Sequence, residues 1–446
     1  MKARAAAMGM IPGAWVPGAA LACALPPSVI LTLPTGYFIL SAALTVGLTA
    51  LLGALTGRLP AFRARLISTG RDRLPDTAIS YLGFWVFLAM IGIGFWGPDD
   101  PMHNLLTLVF WTGVWIALPL GSMLCGNLWR VLNPWYGPVR IARLLIGRTG
   151  QAGLARLQTW PAVLGLLGFS WFQSVSLAPG DPDGLARLAL GYWLVIFGLA
   201  VAEGEAWLEE GEFLSVFFAM ISRIAPFWRH RRAGRVQYFI GWPGTQILAM
   251  PPLRQSGMAF LTLALASLTF DGMSETFWWL GVIGQNPLEF TGRSAVTGAN
   301  TLGLLAVWAA TALVLWAVLR GGNLAAGPVM LSFLAIAAGY HAAHNLVMLL
   351  STGQYTLAAL NDPLFRGDAW LGLEPFYISF GFLTNGVMVT AIYAAQFAAI
   401  LGAHLLAVVL ALKLAGPGLR AHLPLTGVMV GYTVLGLWLL STARGA

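Results

Sequence analysis

The sequence predicts an all-α fold, a polytopic membrane helix bundle of about ten transmembrane helices, and three observations carry that prediction. Hydrophobic residues make up 58% of the 446 residues and charged residues only 9%. The mean hydropathy is +0.76, outside the range of water-soluble domains. The apolar residues fall in runs near the ~20 residues that a bilayer requires, and the basic residues fall mostly between those runs.

The elements follow in chain order. Lys2 and Arg4 precede an apolar stretch ending at Leu21, and Ala22-Cys-Ala24 offers a small-residue cleavage site. Residues 1–24 therefore read as a secretory signal peptide. Residues 25–446 read as one transmembrane domain. Its spans are expected at 36–56, 77–96, 104–124, 159–178, 187–203, 257–277, 296–319, 326–350, 387–412 and 424–441. A break at 204–256 separates two groups of five spans, 36–203 and 257–441, a layout compatible with duplication.

Charge sets the orientation. The loops 57–76, 125–156 and 204–256 hold five, five and six Arg, and Arg320, Lys413 and Arg420 join them on one side. The other side keeps only Arg187, Arg293, Arg366 and Arg444. The positive-inside rule makes the Arg-rich side cytoplasmic. The expected location is the bacterial inner membrane, with the mature N-terminus and the C-terminus both periplasmic.

Within 203–235 an acidic run (Glu203, Glu205, Glu209, Glu210, Glu212) leads through an apolar core to Arg229-His-Arg-Arg232. That pattern predicts an amphipathic helix lying on the cytoplasmic face. Residues 236–256, with Pro243, Pro251 and Pro252, read as a structured interfacial segment. The tryptophans of Asn127-Leu-Trp-Arg130-Val-Leu-Asn133-Pro-Trp135 read as an interface anchor. The arginines form no patch with stacking aromatics, which argues against a nucleic-acid partner. Cys23 and Cys125 are the only cysteines, too few for a disulfide framework. The lipid bilayer is the expected partner, together with a small-molecule or ion substrate.

Two ionisable clusters interrupt the apolar spans: Asp271-Gly-Met-Ser-Glu275 and His341-Ala-Ala-His344-Asn345. A charged group at the helix centre costs roughly 2.5 kcal/mol or more, so such residues mark function unless they have a structural partner. Asp271 and Glu275 are four apart and share a helix face with Ser274 beside them; His341 and His344 are three apart. Both clusters fall in the outer part of spans that run from cytoplasm to exterior. His404 lies about 12 Å deeper along its own helix. Asn300, Asn345, Asn385 and Gln396 fall near the same outer level. The outer loop 351–376, with Gln354 and Asp362, is long enough to act as a lid.

Several stretches resemble a family of bacterial polytopic membrane proteins labelled fenitrothion hydrolase-like. They are Leu132-Asn-Pro-Trp135, Gly211-Glu-Phe-Leu-Ser-Val-Phe-Phe218, Thr269-Phe-Asp-Gly-Met-Ser274, Ala343-His344, Gly353-Gln354, Asp362-Pro363, Gly402-Ala-His404, Met429-Val-Gly-Tyr432 and Gly436-Leu-Trp438. They keep their order from about residue 36 to the end. Where the family pattern reads Ala-His-Tyr, this chain has Asn345 in place of the tyrosine. The resemblance implies hydrolysis of an organophosphate ester at the membrane.

Two functions remain open on these residues. One is a permease, proton-coupled through Asp271, Glu275 and the histidines, with Asn300, Asn345, Gln354, Asp362, Asn385 and Gln396 along the substrate or proton pathway. The other is a membrane-embedded hydrolase holding Zn or another divalent metal. Its ligands would be Asp271, His341, His344 and His404, with Glu275 as general base and Ser274 assisting.

Overall fold

The computed structural model describes residues 35–442 apart from 72–75, 233, 290–291, 374–377 and 417; the signal peptide expected at 1–24 lies outside the described residues. Among the described residues, twelve helices of nine or more residues and three strands organise the chain. They are α1 (Thr35–Thr56), β1 (Ala64–Arg71), α2 (Asp76–Trp96), α3 (Leu105–Cys125), α4 (Tyr136–Leu145), α5 (Trp160–Val175), α6 (Pro182–Glu203) and α7 (Phe213–Ile221). There follow β2 (Phe227–Arg232), β3 (Arg235–Gly241), α8 (Gln255–Met273), α9 (Thr297–Gly321), α10 (Phe333–Asn361), α11 (Gly386–Ala415) and α12 (Leu419–Ser441).

Nine helices among the described residues are long and apolar enough to cross a membrane: α1, α2, α3, α6, α8, α9, α10 (with the short turn before it), α11 and α12. The tenth expected span, 159–178, is the 16-residue α5, about 24 Å long at 1.5 Å per residue. It runs parallel to α8 over the same depth. Ser256 Oγ accepts from Thr159 N at 3.3 Å at one end, and Ser174 Oγ donates to Asp271 Oδ1 at 3.4 Å at the other.

The core has two parts. One is built from α1 and α8–α12. The other is built from α3–α7, with Phe260, Leu263 and Ala264 of α8 and Ala338 of α10 reaching into it. Helix α1, first in sequence, thus packs with the last five helices, and α8 and α10 form the seam between the two parts.

Small residues set the close approaches across this bundle, as expected where lipid removes the hydrophobic drive between helices. A Cβ on Gly339 of α10 would lie 2.2 Å from Ala403 Cβ and 2.8 Å from Ala399 O of α11.

The segment expected as an amphipathic surface helix is placed differently. Its apolar part, Phe213-Leu-Ser-Val-Phe-Phe-Ala-Met-Ile221, is apolar all round, and such a helix belongs inside. Seven of the nine residues of α7 are buried. Its N-cap Glu212 is fully buried and accepts from Leu214 N, Ser215 N, Ser215 Oγ and Tyr192 Oη at 2.8, 2.7, 2.6 and 2.7 Å. Tyr192 lies eleven residues before the end of α6, about 16 Å along the axis, so α7 starts deep in the bundle.

The Asn127–Trp135 segment packs against it. Trp129, Asn133 and Trp135 are buried rather than interfacial. Asn133 Nδ2 donates to Ser215 Oγ at 3.0 Å, and Trp135 Nε1 donates to Trp193 O at 3.0 Å.

The basic loops meet in a small antiparallel sheet of order β1-β3-β2, with a bulge between Leu66 and Ser68. The sequence reading held no strands. Arg229-His-Arg-Arg232 is one of them, and Gly234, at φ +71°, supplies the left-handed turn that the hairpin needs.

Candidate functional site

The site lies on the seam, where α10 passes the C-terminal end of α8. His344 Nε2 and Asp271 Oδ2 are 2.9 Å apart, with side chains 10% and 23% exposed. Ser174 of α5 holds the other carboxylate oxygen. Tyr340, one turn below His344, stacks on its ring with centroids 5.5 Å apart and planes 13° from parallel. The contact depends on Gly272. A Cβ there would lie 2.3 Å from Tyr340 Oη and 3.6 Å from His344 Cε1. The glycine in Asp271-Gly272 therefore lets α10 come close enough to bring its imidazole to the carboxylate.

Glu275 and Arg293 lie beyond the C-terminal end of α8. Arg293 Nη2 stands 4.0 Å from Glu275 Oε1, and its Nη1 donates to the carbonyls of Gln173 and Ser176 at 2.8 and 3.2 Å. The guanidinium thus caps the C-terminal end of α5, the negative end of its dipole. Ser274 Oγ donates to the Asp271 backbone carbonyl at 3.3 Å.

The other membrane histidines are engaged elsewhere. His341 is fully buried, and its Nε2 is 3.0 Å from Trp115 O. The reason is in α3, whose middle, Val109–Ala117, is a π-helix followed by Pro119. In that π register the N–H of Leu118 reaches back to Gly113 O, and Pro119, with no N–H, interrupts the ladder just beyond Trp115. Only a donor can satisfy the Trp115 oxygen, so the His341 proton sits on Nε2. His404 Nδ1 likewise donates to Ile400 O at 2.8 Å. No group of three or more His, Cys, Asp or Glu among the described residues is arranged to hold a metal ion. The expected ligand set therefore comes apart. Asp271 and His344 meet, while His341 bonds a carbonyl of α3 and His404 a carbonyl of its own helix.

The expected pathway residues also have partners in the fold. Asn300 Oδ1 accepts from Trp279 Nε1, Asn345 Nδ2 donates to His341 O, and Gln396 Nε2 donates to Ala343 O across the α10–α11 contact. Asn385 caps α11. Helix α10 continues to Asn361, so the first part of the expected lid is helical. Gln354 pairs with the backbone of Ser379, and the Asp362 carboxylate accepts from Arg366 N and Gly367 N.

Sequence reasoning passed over Ser174, Tyr340 and Arg293 as members of the site. Tyr340 carried a signal, being four residues before His344 and hence on its face.

These features define a polytopic α-helical integral membrane protein with a half-buried carboxylate–imidazole pair. Comparison with protein-family models, curated proteins and solved structures gives no match.

Proposed function

We propose that the protein is a permease for a small solute or ion, with the Asp271–His344 pair as its proton-binding site. The single observation that carries this reading is the pair itself, a carboxylate and an imidazole 2.9 Å apart and largely shielded at the seam between the two core parts. A carboxylate and an imidazole at this distance share one hydrogen bond, the arrangement through which a proton can be held and handed on. His344 Nδ1 is buried and has no hydrogen-bond partner among the described residues, so it is the ring nitrogen left over for a proton or a solute group.

Hydrolysis, the reading implied by the family resemblance, is less well supported. A serine nucleophile needs its hydroxyl on the free ring nitrogen of the histidine, whereas Ser174 and Ser274 both bond to Asp271. A zinc centre needs three or four protein ligands, and Asp271 and His344 supply two. The arginine distribution supports an inner-membrane orientation with the sheet cytoplasmic and Thr35 and Ser441 on the periplasmic side.

The test is reconstitution in vesicles carrying a pH-sensitive dye, challenged in turn with amino acids, organic acids, sugars and simple cations. One class should move protons, and Asp271→Asn should abolish that movement while solute counterflow continues. The reading fails if no class moves protons and the purified protein carries stoichiometric metal that His344→Ala removes.

A further inference from the structure

The sheet has one face whose composition matches a ligand, and it is independent of the Asp271–His344 site. We propose that this face binds the headgroups of anionic phospholipid in the protein's own bilayer. The strand register places Arg65, Ile240 and Phe227 side by side on one rung, and Ser68, Tyr238 and Arg229 on the next rung of the same face. All six are exposed, the apolar ones by 38% (Ile240), 47% (Phe227) and 45% (Tyr238). The three strands together hold six arginines and no Asp or Glu.

Exposed aromatics between arginines suit the boundary of headgroup and acyl chain. The rings and the isoleucine enter the apolar side, while each guanidinium presents a planar fork to a phosphate. Arginine also keeps its head in water while laying its stem on apolar surface.

The position of the sheet agrees. β1 begins eight residues after α1 ends, and its last residue, Arg71, is five residues before Asp76 of α2. Five residues span at most about 18 Å, so both ends of the strand are tethered near spanning helices. The far edge of the sheet meets the bundle: a Cβ on Gly126, at the end of α3, would lie 3.4 Å from Trp228. Trp242, 65% exposed, follows β3 and donates its backbone N–H to Arg63 O at 3.4 Å.

Native mass spectrometry of the purified full chain tests this, with phosphatidylglycerol, cardiolipin and phosphatidylcholine titrated separately. The wild-type protein should retain the two anionic lipids in preference to phosphatidylcholine. Arg65→Gln with Arg229→Gln should weaken retention of phosphatidylglycerol by roughly thirty-fold, at about five-fold for each basic group lost. The charge-matched control, Arg140→Gln with Arg156→Gln, removes two exposed arginines elsewhere on the same side and should leave retention within about two-fold. Arg65→Lys with Arg229→Lys keeps charge without the fork; it should give intermediate retention, and it serves also if the Gln pair folds poorly.

Equal retention of phosphatidylcholine and phosphatidylglycerol by the wild type would overturn the proposal, as it would if the sheet face served a soluble partner instead. An equal loss in the two Gln double variants would do the same, since it would show bulk charge and not a site. Competition by glycerol phosphate in solution, without lipid selectivity, would also count against it.

Discussion

Gly272 and Tyr340 approach so closely that only a hydrogen fits between the α8 backbone and the tyrosine hydroxyl: a methyl at position 272 would stand 2.3 Å from Oη. This clearance sets how near α10 comes to α8, and with it the Asp271–His344 distance. Gly272→Ala would gain up to about 1 kcal/mol in helix propensity, but overpacking of this kind typically costs about 1–3 kcal/mol. The expected result is a lower melting temperature in detergent together with loss of proton movement. Tyr340→Phe in the Gly272→Ala background removes the clashing oxygen and should restore part of both. No recovery would show that the hydroxyl does not set the helix spacing.

Asp271 and His344 should respond unequally to removal. His344→Ala leaves the partly exposed Asp271 carboxylate with Ser174 but without its imidazole, so it should cost less than the ~3–5 kcal/mol typical of fully buried pairs. Asp271→Asn keeps an oxygen for the His344 N–H and introduces no orphan charge, so it should cost less still. Thermal unfolding of both variants in the same detergent checks the order. Asp271→Asn as the more damaging change would mean that the carboxylate does work beyond holding the imidazole.

His341 has a structural role that a double substitution can expose. His341→Phe keeps a flat ring among Trp115 and Phe217 but removes the donor to Trp115 O, which should destabilise by about 1–3 kcal/mol. Pro119→Ala restores an N–H at the position that can serve that carbonyl. The penalty of His341→Phe, read by chemical or thermal unfolding, should therefore shrink in the Pro119→Ala background. Strict additivity of the two changes would refute the pairing of cause and effect given above.

The turn after α10 should loosen in acid. Burial, the largest single influence on Asp362, pushes its carboxyl up, but the N–H groups of Arg366, Gly367 and Asp368 and the Arg366 charge together hold it below the ordinary value of 3.8. A group with a lowered folded pKa contributes stability that is present above the ordinary value and disappears as pH falls through the lowered one. Hydrogen exchange at Arg366 and Gly367 should accordingly be slow at pH 5 and accelerate below pH 3.8, beyond the change in intrinsic rate. Asp362→Asn should remove that acid-specific step, leaving only the intrinsic pH dependence.

Much of the fold is legible in the sequence because a bilayer imposes a length on every apolar run, and α1, α9 and α11 satisfy it without interruption. That Asp271 and His344 lie on two long apolar helices is legible for the same reason, and the structure adds that they meet. What the sequence hides depends on pairs far apart in the chain. The role of His341 is set by Pro119, on another helix, and the burial of Glu212 is set by Tyr192 and Ser215. A local cue existed for the latter, since Glu212 precedes Ser215 by three, an N-cap arrangement. The strands were hidden by their own arginines, which read as solvated loop until β1 and β2 are seen flanking β3.

The buried position of α7 has a consequence for biosynthesis. Phe217 packs against Trp115 at 5.3 Å and against His341 at 5.9 Å between ring centroids, so its cavity has walls from both early and late parts of the chain. The stretch Phe213–Ile221 leaves the ribosome well before residue 341 exists. At ~5–20 residues per second it waits roughly 6–25 s for its last wall. During that interval a segment of nine residues, almost all apolar and too short to span, has no finished place to go. The maturing protein therefore needs either the interface or a chaperone to shelter this one segment, and its docking is a late event of assembly.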